Sequence, residues 1–277
     1  MGKGTMNVVL IGESIHGVAE FTEFKHRWLR ENARSRLVVV FEADHVGMLL
    51  SAHDKSQEAH ILRNFPKVHR TEEMLLLIRH ILQKDIPFYG ADLVTRNKTA
   101  TYSGHFKLLR DKQIASETQV YSESPPLFQL RDEYMSDVVA SAAMTHPGHT
   151  VVGFFHNMHI KHNGSLEKNH LRLTSIAENL RINHDISTRS IGLFASSGTA
   201  VCNDLSPFSF DISDPDVIEH LARKTTRVTK IASKQLMKDL TAYHHASERE
   251  SIPVNRQYDE CVVFPTVRPP TVLSDSA

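Results

Sequence analysis

Four short apolar runs, each ending on an acid or a histidine, constrain this chain more than any other feature. Asn7-Val-Val-Leu-Ile-Gly12 stops abruptly and is followed by Glu13 and then His16. Leu37-Val-Val-Val-Phe-Glu42 ends on an acid, with Asp44 and His45 just beyond, and Thr150-Val-Val-Gly-Phe-Phe-His156 ends on a histidine, with His159 and His162 following. Asp85-Ile-Pro-Phe-Tyr-Gly-Ala-Asp92 completes the set, and Pro87 marks its beginning because proline cannot donate to a central ladder. Continuous apolar runs of this length suit parallel strands buried on both faces. The expected fold is α/β: a central, mainly parallel sheet flanked by helices. Such a sheet carries its chemistry at the carboxyl ends of its strands. Parallel strands therefore gather Glu13, His16, Glu42, Asp92, His156 and His159 along one rim, which scattered core histidines do not do.

Helical spacing fills the gaps between the runs. Val18, Phe21, Phe24, Trp28 and Leu29 place a first helix that begins near Ser14 to Val18, with Ser14 as its cap. The amino end of that helix favours negative charge at the rim. Thr71 to Gln83 reads as a second helix, and Met135, Val138, Val139 and Ala142 give a third after Arg131. Ser213-Asp-Pro-Asp216 is a helix start, and Lys224 to His245 reads as a charged amphipathic helix over the sheet. A chain of 277 residues buries a sizeable core, and one α/β domain over residues 1–266 accounts for it, with 267–277 as a mobile tail.

Composition removes several function classes. Lys plus Arg and Asp plus Glu both total 32, so there is no basic footprint for nucleic acid. No apolar stretch reads as a membrane span or signal core. Cys202 and Cys261 form no metal or redox spacing, so a reducing, cytoplasmic setting is the simplest expectation. Gly12-Glu-Ser-Ile-His-Gly17 has the glycine separation of a phosphate loop, yet Val18-Ala19 stands where Lys-Ser/Thr is required. The same turn approaches a nucleophile elbow without its fifth-position glycine. His156, His159 and His162 raise a metal reading, although residues three apart in an extended strand point to opposite faces. No cofactor is expected, and a divalent metal at these histidines is the alternative left open.

Gly12-Glu-Ser-Ile-His-Gly-Val-Ala-Glu-Phe21 resembles the Gly-Glu-x-x-His-Gly-x-x-Glu-Phe opening of the erythromycin esterase-like proteins. Phe41-Glu42-Ala43, Gly90-Ala-Asp-Leu93, Arg131-Asp-Glu-Tyr-Met135 and Phe155-His-Asn-Met-His-Ile160 are similar to that family's later motifs, in the same order. Thr174 to Leu180, Ser190 to Leu193 and Tyr258 to Phe264 resemble the helix and strands that follow. The sequence departs from the family in two places. Only residues 94–130 stand where macrolide-opening members carry a long helical insertion, and Lys25 stands at the position of a first-helix arginine.

The resemblance implies an ester or lactone hydrolase, since the spacing by itself points only to proton transfer. Glu13, His16, Glu42, His156 and His159 are the expected catalytic set. In it His16 takes a proton from water, Glu13 or Glu42 orients its other nitrogen, and His156 or His159 polarises the carbonyl or protonates the leaving oxygen. Lys25, Glu20, Asp92 and Arg131 are the expected substrate-binding residues. The alternative is a cyclase, acyl transferase or lyase of natural-product biosynthesis that uses the same site and excludes water. The expected partner is a small-molecule or carrier-linked substrate, with no nucleic acid and no membrane. The oligomeric state is left open.

Overall fold

The computed structural model describes residues 7–97, 100–123, 126–168, 170–223 and 225–273. Strands β1 (Asn7–Glu13), β2 (Leu37–Asp44), β3 (Phe88–Asp92), β4 (Thr150–His156) and β5 (Thr188–Ala195) correspond to the apolar runs and to the segment around Ser190. A hairpin of β6 (Ser197–Val201) and β7 (Pro207–Asp211) follows, then β8 (Thr229–Ala232), a short ribbon of β9 (Tyr243–His244) and β10 (Glu248–Arg249), and β11 (Glu260–Phe264). The helices are α1 (Ala19–Glu31), α2 (His45–His53), α3 (Glu58–Leu62), α4 (Glu72–Gln83), α5 (Gly104–Tyr121), α6 (Phe128–Thr145) and α7 (Ile176–His184). The central sheet has the order β3-β2-β4-β1-β5-β11-β8. It is parallel except for β8, which runs antiparallel to β11.

Strand side chains alternate between faces, and here both faces are covered. Val9 and Ile11 of β1 and Val39 and Phe41 of β2 pack with Phe21 and Phe24 of α1 and Leu77 and Ile78 of α4. Val8, Leu10, Val38 and Val40 pack on the opposite side with Met135 and Val139 of α6 and Leu180 of α7. Each such side chain contributes about 1.5–3 kcal/mol by leaving water. Residues 8–11 of β1 and 37–41 of β2 carry no polar side chain on either face, which is why the runs are continuous instead of alternating.

The register aligns the chemistry. Glu13 lies beside His156 across β1 and β4, and beside Leu193 across β1 and β5. The β2–β3 register slips between Phe41 and Asp44. Such irregularities re-aim side chains, and here the Glu42 carboxylate accepts the backbone N–H of His156 at 3.0 Å. Gly17, at φ 66°, turns the chain between β1 and α1, and a Cβ there would meet both backbone strain and the Val201 carbonyl at 2.4 Å.

Several sequence expectations are corrected. Helix α1 begins at Ala19, after Val18, and Ser14 does not cap it. The Ser14 amide instead donates to the Leu193 carbonyl, because β1 still pairs with β5 there. The first N–H of α1, that of Ala19, is spent on the Arg268 carbonyl. Helix α6 starts at Phe128, placing Arg131 in its first turn instead of ahead of it. After Asp216 only a short 3-10 helix forms, Ile218–Ala222. The expected helix from Lys224 to His245 is absent among the described residues 225–245. β-branched Thr229 and Ile231 instead pair as the edge strand β8, and His244 ends up in β9. Residues 267–273, expected to be mobile, are tied down. Val267 is buried and bonded to Ser197 and Thr199, Leu273 N donates to the Arg70 carbonyl, and Arg268 reaches Glu20, Glu23 and Glu73. Residues 274–277 lie outside the described part. No helix among the described residues is long and apolar enough to cross a membrane.

Candidate active site

Glu13 ends β1 with its side chain almost wholly buried and three cations or imidazoles around it. His16 Nδ1 lies 2.7 Å from Glu13 Oε1, His69 Nε2 lies 3.4 Å from the same oxygen, and Lys25 Nζ donates to Oε2. Burial alone pushes a carboxyl upward. The Lys25 ammonium, with His69 and His16, overrides it and holds Glu13 well below the usual carboxylate range. Burial also takes His69 down to about 4 despite the facing Glu13 carboxylate, so its ring is neutral near pH 7. An ionised Glu13 accepts from His16, so Nδ1 carries a proton.

A second network crosses the rim beside it. Arg131 donates through Nε and Nη2 to both Asp92 oxygens, at 2.8 and 3.0 Å, and through Nη2 to Glu42 Oε1 at 2.7 Å. His159 Nδ1 lies 2.8 Å from Asp132 and its Nε2 lies 3.5 Å from Glu42. Burial opposes the charge on His159, but Asp132 and Glu42 raise its pKa to about 10, which makes it an imidazolium at neutral pH. Burial likewise opposes the charge on Glu42, and His159 with Arg131 holds that carboxyl well below its ordinary range.

His156 stands between the two networks with both ring nitrogens engaged. Its Nδ1 accepts from the Met158 N–H at 3.2 Å, so the proton sits on Nε2 and is donated to the Ser14 carbonyl at 3.2 Å. Burial, then repulsion from His16, His244 and His245, keeps the ring neutral. His244 and His245 arrive from the β9–β10 turn, where His245 and Ala246 adopt positive φ. Their ring centroids lie 4.3 Å apart, and each lies 4.7 Å from that of His156. Burial, followed by mutual repulsion, takes His244 down to about 3. Burial, followed by His16, takes His245 to about 4.

These groups open into a cleft of about 380 Å³ lined by His16, Glu42, Arg131, His156, His159 and His244, with Arg96, Tyr121 and Phe128 on its outer wall. A second pocket of about 560 Å³ adjoins it through His16 and His245 and is lined by Ile15, Val201 and Phe208. One side of His16 is therefore polar and the other mostly apolar.

Of the residues singled out in the sequence, Glu13, His16, Glu42, His156, His159, Asp92 and Arg131 meet around this rim. Lys25 and Glu20 do not line either pocket. Lys25 is buried beneath Glu13 and lies 5.8 Å from the Phe154 ring centre, and the Glu20 carboxylate accepts the Arg268 N–H at 3.0 Å on the far side of α1. His162 leaves the group too, with Nε2 2.8 Å from Asp259, so His156, His159 and His162 do not converge on one point. Sequence reasoning missed His69, Asp132, His244 and His245. Asp132 stood inside the Arg-Asp-x-x-Met segment and carried a signal. His69 follows Pro66 in a 3-10 turn and carried none.

No protein-family model matches the chain, and no curated protein matches it in sequence. Solved structures do. A Bacillus cereus protein superposes with a TM-score of 0.74 at 15% identity, covering 98% of this chain and 91% of that one. A succinoglycan biosynthesis protein gives 0.75 at 14%, covering 96% and 89%. An erythromycin esterase mutant in its open conformation gives 0.74 at 15%, covering 98% and 93%. The chain has the erythromycin esterase-like α/β fold.

Proposed function

We propose that the protein is a hydrolase of esters, lactones or related acyl groups that activates water with His16 as general base. The observation that carries this reading is the 2.7 Å contact from His16 Nδ1 to an ionised, cation-anchored Glu13, which leaves the Nε2 lone pair to the cleft. In the proposed step Nε2 takes a proton from water and the hydroxide adds to the acyl carbon. The oxyanion forms beside the His159 imidazolium. Collapse of the adduct expels the alkoxide, which takes the proton back from His16. A positioned base of this kind supplies roughly 10²–10⁴ in rate, and fixed charge facing the oxyanion adds to it. His156, whose N–H is spent on Ser14, acts as a positioning residue between β1 and β4.

The two adjoining pockets favour a substrate with an apolar arm against Phe208 and Val201 and a polar portion toward Arg96 and Arg131. Among the described residues between β3 and α6 there is one helix, α5, which leaves little chain to enclose a large ring. The proposed substrates are therefore smaller or more extended than macrolides. Incubation with aryl esters, lactones, acyl thioesters and macrolides, followed by mass spectrometry, tests the class. The expected result is a gain of one water on small esters, lost at least a hundredfold in His16→Ala and retained in His26→Ala, which faces His80 off the cleft. Mass-neutral or group-transfer products would move the assignment to a non-hydrolytic acid/base enzyme. Full activity in His16→Ala would remove the base.

A further inference from the structure

The rim carries more imidazole than the proposed reaction uses. His16 has a role as base and His159 as a fixed cation, whereas His244 and His245 have none. Among the described residues neither of their rings gives or takes a hydrogen bond; both are partly buried and both line the cleft. One ring nitrogen each from His156, His244 and His245 lies within 4.8 Å of the other two.

We propose that His156, His244 and His245 form a binding site for a late first-row divalent cation, Zn²⁺ being the representative. An all-imidazole donor set suits such ions and is poorly matched to Mg²⁺ or Ca²⁺, which take oxygen ligands. Zinc–nitrogen bonds of about 2.0–2.1 Å in a tetrahedral site put ligand nitrogens about 3.4 Å apart, so nitrogens within 4.8 Å of one another need to close by no more than about 1.5 Å to share one ion. His156 is oriented as metal-bound histidines usually are, with one N–H held on a backbone carbonyl, here that of Ser14. Its Nδ1 lone pair is then the donor, exchanging the 3.2 Å contact with the Met158 N–H for the ion. The Ser14 carbonyl also accepts the backbone N–H of His245 at 3.0 Å, which ties the turn bearing two ligands to the end of β1 beside the third.

The other candidate cluster, Glu13, His16 and His69, does not compete for the ion. The Lys25 ammonium already occupies the cationic position against Glu13. An ion on the proposed trio lies next to His16, whose ring centre is 4.8 Å from that of His156 and 5.7 Å from that of His245. It takes the Nε2 lone pair or the space of the attacking water, so bound Zn²⁺ inhibits the proposed hydrolysis. The site itself does not depend on that hydrolytic reading.

Calorimetric titration of the full, chelator-treated chain with Zn²⁺ tests the site directly, with Co²⁺ absorption reporting nitrogen ligation. The expected result is one tight ion per chain and a rise in melting temperature, with affinity at least a hundredfold lower in His244→Ala/His245→Ala and unchanged in His60→Ala, which removes an exposed histidine. The single variants His244→Gln and His245→Gln, each expected to weaken binding tenfold or more, serve if the double variant does not fold. Binding unchanged in these variants, or only weak multiple sites in the unaltered chain, would overturn the proposal. Activity separates the two readings. Hydrolysis that needs Zn²⁺ after chelation removes the metal-free base mechanism and leaves the site. Metal-free hydrolysis together with unaltered Zn²⁺ binding in the variants removes the site and leaves the mechanism.

Discussion

Replacing Lys25 by Met isolates what the buried ammonium does for Glu13. The side chains keep similar length, and both Lys25 and Glu13 lie almost entirely out of water. Removing one partner of a buried ion pair costs about 3–5 kcal/mol, because the remaining charge stays buried without its counterion. At about 2–4 °C per kcal/mol for a chain of this size, Lys25→Met lowers the melting temperature by roughly 6–20 °C at pH 7. Glu13→Gln/Lys25→Met, which leaves no charge behind, recovers most of that loss, so a double-mutant cycle returns strong coupling. The pH dependence has a definite sign. Glu13 is depressed in the folded protein, so its contribution is complete above its ordinary value of 4.5 and is lost as pH falls below it. Without Lys25, burial raises the carboxyl, and a protonated Glu13 no longer accepts the His16 N–H. The acid limb of esterase activity therefore moves to higher pH, and the rate at pH 7 drops about tenfold to a hundredfold within the range of base effects. Thermal melts and rate–pH profiles on the same preparations check both parts. A Lys25→Met protein as stable as the parent, with an unmoved acid limb, would refute the reasoning that Lys25 is structural and electrostatic support for Glu13.

Two further outcomes concern the rest of the rim and its scaffold. His159 is raised from 6.5 to about 10, so the stability it contributes is full below the lower value and lost as pH rises through the upper one. Asp132→Asn removes one of its two carboxylates and brings that alkaline loss closer to neutrality, read as melting temperature against pH from 6 to about 10. An overlay with the parent curve would mean that Asp132 does not hold the proton on His159. Ending the chain after Thr266 removes buried Val267 and the Arg268 contacts and lowers the melting temperature by several degrees, whereas Arg268→Ala alone costs only about 0–1 kcal/mol because its head is half exposed. A truncated protein as stable as the full chain would return residues 267–273 to the status of a mobile tail.

The central sheet was legible because burial on both faces removes the ambiguity of alternation. Leu37-Val-Val-Val-Phe41 has no polar residue to place on a solvent side, so it reads as an interior parallel strand, and β2 pairs with β3 and β4 on its two edges. The region after β5 was not legible by the same physics. β8 is four residues at an edge and β9 is two, too short for a period to emerge from charged surroundings. Residues 225–245 could therefore be fitted to a helical spacing that tertiary pairing with β11 overrides. Helix α5 escaped notice for a related reason. Its buried positions, Arg110, Gln113 and Val120, are mostly polar, because Arg110 and Gln113 reach in to the buried Asp44 carboxylate.

The same division runs through the site. Residues at or near the carboxyl ends of parallel strands, Glu13, Glu42, Asp92 and His156, were found because strand direction alone carries them to one rim. What each does there depends on neighbours that only folding supplies. Lys25 was expected to bind substrate because it stands at the position of the family's first-helix arginine, yet α1 carries its ammonium under Glu13 instead of over the cleft. Its charge does for Glu13 what the helix amino end was expected to do. His244 and His245 show the converse. They lie more than two hundred residues from His16, in a turn whose backbone conformation at His245 and Ala246 no periodicity announces, and they complete the polar wall of the cleft. A rim built by strand ends is readable from strand patterns, but the side chains that close it over come from turns, and there the chain's own positive-φ geometry decides which rings reach the site.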